Sequence, residues 1–172
     1  MVLSIGIVGN GFVGKATAML ACDGVQCLVY DIDPGKCVPE GTKLSTLAEC
    51  DLVFVCLPTP MREDKSCHTE LVSGCVKELT DMKCKGVVVR STMPPGFCES
   101  MGVYFMPEFL TEMNWENDFR TCNTWIFGIP ESMYSGRAEL VAVKKLQEIL
   151  SCAKLSGKIE NDMLKTTTTT VA

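Results

Sequence analysis

Val2–Val8 (VLSIGIV) runs straight into Gly9-Asn10-Gly11-Phe12-Val13-Gly14 (GNGFVG), and this junction decides the fold. A short, nearly continuous apolar run is what a strand buried on both faces requires. G-x-G-x-x-G between such a strand and a helix is a dinucleotide-binding turn. Gly9 permits the tight turn, Gly11 lets a pyrophosphate approach the backbone, and Gly14 lets the following helix pack close to the strand. Phe12–Cys22 reads as that helix, with Ala16, Ala18, Met19 and Leu20 available for packing. Val25–Tyr30 (VQCLVY) reads as a second strand, closed by Asp31. Asp31 stands 17 residues beyond Gly14, where a carboxylate can accept both hydroxyls of a ribose and would repel a 2′-phosphate. The pattern therefore favours NAD over NADP.

Working outward, strands and helical patterns alternate. Pro34, Gly35, Pro39 and Gly41 make residues 34–50 mostly loop, with one helical turn near Leu47–Cys50. Leu52–Leu57 (LVFVCL) reads as a third strand, stopped by Pro58-Thr59-Pro60. A helix follows from Thr69 to Met82, with Leu71, Val72, Cys75, Val76 and Leu79 on one face. Gly86–Val89, Val103–Met106 and Thr124–Phe127 read as further strands, and Ser132–Ala153 as a helix with Leu140, Val143, Leu146, Ile149 and Leu150 on one side. The alternation predicts one Rossmann-type, doubly wound α/β domain over 1–172, with a mostly parallel six-stranded sheet and helices on both faces. Thr166–Thr170 is a low-complexity run, expected to be frayed.

Composition narrows the function classes. Nearly half of the 172 residues are apolar, fewer than a quarter are charged, and the net charge is −5. An acidic domain repels nucleic acid and anionic membranes, so phosphates must be held locally by backbone N–H groups and a few placed cations. The eleven cysteines are scattered singly, with no C-x-x-C pair and no Cys/His cluster, which argues against a metal site. Residues 2–8 are not preceded by a basic segment or followed by a cleavage site, and no apolar run reaches membrane-spanning length. These features predict reduced cysteines in a soluble, cytoplasmic protein. His68, the single histidine, reads as a solvated loop residue.

The remaining polar residues fall in a pattern. Thr59, Ser91, Thr92 and Glu108 each sit just past the end of a different predicted strand, or side by side after one. In open α/β sheets ligands bind at that edge, so together they mark a pocket rim.

The order GNGFVG, DIDPGK, CLPTPM, RSTMPPG and MPEFLTE resembles the UDP-glucose/GDP-mannose dehydrogenase family, from Val2 to about Gly128 and again near Glu160–Lys165. The resemblance implies that Gly9, Asn10, Gly11, Phe12, Val13, Gly14, Asp31 and Lys36 hold the adenosine and pyrophosphate half of NAD. By the same resemblance Leu57, Pro58, Thr59, Pro60 and Met61, with Ser91, Thr92, Met93 and Glu112, line the nicotinamide side. Thr92 and Glu108 match positions that order a catalytic water and assist proton transfer. Glu108, Phe109, Leu110 and Glu112 would contact a nucleotide sugar, and Lys165 matches a substrate-binding lysine. The implied reaction oxidises the C6 alcohol of a nucleotide sugar, such as UDP-glucose, to a carboxylate with two NAD. It runs through a covalent cysteine intermediate.

The chain also departs from that family. The glycine-rich segment carrying the family's catalytic cysteine is not found, the 34–50 connection is short, Thr169 replaces an asparagine, and in RTCNTW the arginine expected just before the last strand is not found. Residues from about 155 to 172 are expected to be the start of a truncated central helix or a frayed tail, and turnover would need a partner chain supplying the missing half or a substitute thiol. The alternative is a non-catalytic NAD-binding remnant or regulatory module.

Overall fold

The computed structural model describes residues 2–133 and 137–169. Its strands are β1 (Leu3–Val8), β2 (Val25–Tyr30), β3 (Leu52–Val55), β4 (Val87–Val89), β5 (Tyr104–Phe105), β6 (Trp125–Ile129) and β7 (Leu164–Thr168). The helices are α1 (Phe12–Ala18), α2 (Glu70–Asp81), α3 (Phe97–Met101), α4 (Trp115–Arg120) and α5 (Arg137–Leu155). One sheet runs β2-β1-β3-β4-β5-β6-β7, parallel throughout except for the antiparallel β5–β6 pair.

The apolar runs are continuous because both faces of the sheet are covered. Ile5, Ile7, Leu52, Phe54 and Val88 point into a core shared with Ala16 of α1, Phe119 of α4 and Leu146, Ile149 and Leu150 of α5. Val8, Val53, Val55, Val87 and Val89 point the other way, against Val72, Val76 and Leu79 of α2 and Cys98 of α3. Gly6 lets the layers approach closely, since a Cβ there would lie 3.1 Å from Leu47, in the 3₁₀ turn Leu44–Glu49 that covers the second face. Strand order and two-sided cover make this the expected doubly wound fold.

Three expectations need correction. The sheet has seven strands rather than six, because residues 164–168 are neither a frayed tail nor the start of a central helix: they pair in parallel with β6, from Trp125↔Leu164 to Ile129↔Thr168. β-branched threonines suit an extended edge strand. Thr169 is 4 % exposed and donates to Glu99 Oε2 at 2.6 Å, so the end of the run is also held. Thr170 lies outside the described residues. Leu140 and Leu71, assigned to packed helix faces, are exposed, while Ala142 and Ala153 complete the buried side of α5. α1 stops at Ala18, short of the predicted Cys22. Residues 134–136 of the predicted last helix lie outside the described residues.

Candidate functional site

Because β1 to β5 are parallel, their carboxyl ends share one edge of the sheet, and a cleft of about 750 Å³ opens there. That volume suits a cofactor. The glycine turn forms one wall. Gly9 has φ +94°, and a Cβ on it would lie 2.6 Å from the Cys56 carbonyl oxygen. A Cβ on Gly14 would lie 1.9 Å from the Gly9 carbonyl oxygen, so α1 can start where it does only with glycine there. Gly11 has nothing within 4 Å of an added Cβ, and it faces open cleft.

Asp31, at the end of β2, is fixed by two backbone donors. Asn10 N–H donates to its Oδ2 at 2.7 Å and Asp33 N–H to its Oδ1 at 2.9 Å. The Asn10 side chain donates to the Lys36 carbonyl at 2.7 Å, tying the glycine turn to the loop beyond β2. Asp31 and Lys36 both line the cleft. A carboxylate held beside an open glycine turn fits the ribose and pyrophosphate of a dinucleotide.

The far end of the cleft is built from β3, β4 and β5. Leu57, Pro58 and Thr59 follow β3, and Ser91 anchors the turn after β4 by donating to the Leu57 carbonyl at 2.7 Å. Thr92 Oγ1 donates to Glu108 Oε1 at 3.4 Å, joining the ends of β4 and β5. Two cysteines, Cys56 and Cys75, line the cleft. Burial pushes the Cys56 thiol up to about 11 and the Cys75 thiol to about 12, so both stay protonated at neutral pH and neither is an activated nucleophile.

A model of the UDP-glucose/GDP-mannose dehydrogenase family, NAD binding domain, matches residues 39–147. The chain belongs to this family. It is 25 % identical over 117 residues to the Bacillus subtilis (strain 168) protein named "Putative UDP-glucose 6-dehydrogenase YtcA", covering 59 % of this chain and 27 % of that one. Among solved structures it resembles the GDP-mannose dehydrogenase of Pseudomonas aeruginosa, with TM-score 0.75 and 19 % identity over 97 % of this chain and 47 % of the other. The UDP-glucose dehydrogenase of Pyrobaculum islandicum matches with the same score and identity, over 99 % of this chain and 47 % of the other. The chain thus spans about half the length of these solved relatives, and the structural likeness concerns the fold. The family domain fixes NAD as the cofactor, and the glycine turn with Asp31 fits it.

Within this family domain, the predicted residues divide. Gly9, Gly11, Phe12, Val13, Asp31, Lys36, Leu57, Pro58, Thr59, Ser91, Thr92 and Glu108 all line the cleft. Asn10 and Gly14 act from behind it, by the bonds and the close approach described above. Pro60, Met61 and Met93 are not in its lining, and Glu112 is exposed outside it. Phe109 and Leu110 border a separate small cavity with Phe119 and Trp125. Lys165 lies on β7 opposite Ile126, exposed, on the same edge of the sheet but two strands beyond β5. His68 pairs with Glu70 at 3.2 Å, outside the cleft.

The sequence reading missed the wall contributed by α2, where Leu71, Cys75 and Glu78 face the cleft, and it missed Arg90. Arg90 follows Val88 by two residues, so the alternation of a strand sends both to the same face. A charge in that register after three valines was the available signal. Among the described residues no group of three His, Cys, Asp or Glu side chains could hold a metal ion, and no helix is long and apolar enough to cross a membrane.

Proposed function

We propose that residues 1–172 form one NAD-binding domain of a nucleotide-sugar 6-dehydrogenase, acting on UDP-glucose to give UDP-glucuronate. The observation that carries this reading is the Thr92–Glu108 bond at the end of the cleft opposite Asp31. Bound NAD supplies the hydride acceptor. Asp31 and the Gly9–Gly14 turn anchor its adenosine and pyrophosphate half, leaving its reactive end toward Thr92 and Glu108. Glu108 takes the proton released as the C6 hydroxyl is oxidised, and with Thr92 it orients the water that completes the carboxylate. Phe109, Leu110, Glu112 and Lys165 contribute to the sugar-nucleotide side, together with a partner chain that supplies the catalytic thiol. Cys56 and Cys75 do not replace that thiol, because burial keeps them protonated.

The test is to mix the chain with NAD and UDP-glucose and follow absorbance of the reduced cofactor. Reduction that falls about 100-fold in Thr92→Ala or Glu108→Gln is the expected result. NAD binding with no reduction, even when a partner chain carrying the catalytic thiol is added, would contradict the oxidoreductase reading of this chain and leave an NAD-binding module.

A further inference from the structure

Arg90 is 1 % exposed and its guanidinium lies over the Phe119 ring, 5.7 Å from the centroid. Its Nε and Nη1 have no hydrogen-bond partner, and none of the ion pairs among the described residues includes it. Buried charges are ordinarily paired, since an isolated one is costly to remove from water. Burial pulls its pKa below the ordinary arginine value, yet a guanidinium remains a cation in proteins. Arg90 lines the cleft beside Cys56, Ser91, Thr92 and Glu108. The field of an unpaired cation therefore reaches the cleft through a wall of low dielectric.

The place of that charge along the cleft gives it a function. Asp31 ends β2 and Arg90 follows β4, three strand positions away in the order β2-β1-β3-β4. At about 4.8 Å per step this is roughly 14 Å. A dinucleotide whose adenosine ribose is held by Asp31 and whose pyrophosphate crosses the glycine turn at β1 has its pyridine ring toward β3 and β4. We propose that Arg90 sets the balance between oxidised and reduced cofactor, its buried positive charge disfavouring the cationic pyridinium relative to the neutral dihydropyridine. The inference rests on NAD lying in this cleft. When a substrate C–H bond breaks and its hydride, carrying two electrons, forms the new C–H bond on the ring, the ring loses its positive charge. The alcohol proton leaves separately to a base. Arg90 favours that direction without touching the reacting atoms.

The acidic groups near Arg90 work against it. Glu108 faces it from the end of β5, and Asp118 of α4 borders the same small cavity. Asp118 is already engaged by Thr111, whose hydroxyl donates to it at 2.6 Å. The thiols of Cys56 and Cys122 also border Arg90. At an effective dielectric of about 20 and a separation of about 10 Å, one unit charge changes the relative affinity for two ligands differing by one charge by roughly tenfold.

The experiment is to titrate the full chain with oxidised and with reduced NAD, and to compare the ratio of the two dissociation constants among variants. Arg90→Met is expected to shift the ratio about tenfold toward oxidised NAD. A merely structural role would weaken both forms alike and leave the ratio unmoved. Should Arg90→Met fail to fold, the equally neutral Arg90→Gln decides, because it must shift the ratio the same way. A ratio within twofold of wild type in Arg90→Met or in Arg90→Gln overturns the proposal alone. A wild-type chain that binds neither form overturns the cofactor cleft and the proposal with it.

Discussion

Two glycines of one motif have different jobs, and substitution separates them. An alanine at Gly14 would put its Cβ 1.9 Å from the Gly9 carbonyl oxygen, so the turn and α1 must move apart. Gly14→Ala is expected to destabilise the fold by about 3 kcal/mol and to abolish NAD binding, seen as a lowered denaturant midpoint and a flat titration. Gly11→Ala meets nothing within 4 Å and leaves stability unchanged, but its methyl occupies the open cleft. It is expected to weaken NAD about tenfold at an unaltered midpoint. The Asp31 carboxylate accepts from the backbone N–H groups of Asn10, within the glycine turn, and of Asp33, so Asp31→Ala removes the ribose acceptor and one tie on the turn together. The expected result is about tenfold weaker NAD binding and a narrowed gap between NAD and NADP, measured by paired titrations.

Elements far from the cleft are tied together by a few charged contacts. Asp51, just before β3, accepts from the backbone N–H of Ser4 in β1 at 2.9 Å and is paired with Lys145 of α5. Burial pushes its carboxyl pKa up, but the Lys145 and Ser4 hydrogen bonds outweigh it and hold the group below its ordinary value of 3.8. A depressed folded value gives stability that is present above the unfolded value and lost as pH falls through the folded one. Thermal unfolding followed from pH 6 to pH 2 is therefore expected to show an acid loss below about pH 4 that is smaller in Asp51→Asn. In that variant stability at pH 6 should drop by about 1 kcal/mol. β7 makes a separate demand: amide exchange across 164–168 should be slower than across the preceding 160–163, as pairing with β6 requires. What could be read from sequence at this scale depended on the kind of pattern. The buried strands β1, β3 and β4 were legible because continuous valine and isoleucine runs have few alternatives. β7 was not, because five threonines signal low complexity, and only β6 makes an edge strand of them. α4 escaped notice because six residues carry too little periodicity to be seen.

At the scale of the molecule, the residues proposed to hold the cofactor were legible because the glycine turn and Asp31 are local features, fixed by a few neighbours in sequence. Glu78 and Leu71 are brought to the cleft by packing across elements, and no local pattern marks them, while Arg90 is marked only by its register after the valines of β4. Thr92 and Glu108 lie between these cases, since strand ends located each of them and the fold joined them. The whole molecule's response to its cofactor follows from mass action: a ligand that binds only the folded chain raises its stability by about 2.7 kcal/mol at 100 times the dissociation constant. The decisive measurement is calorimetric titration of the purified chain with NAD and with NADP. Saturable NAD binding, at least tenfold tighter than NADP and reduced in Asp31→Ala, is the outcome expected of the cleft described above. Equal binding of both cofactors would contradict the role of Asp31, and binding of neither would return Gly9–Gly14 to the role of an ordinary strand-to-helix turn.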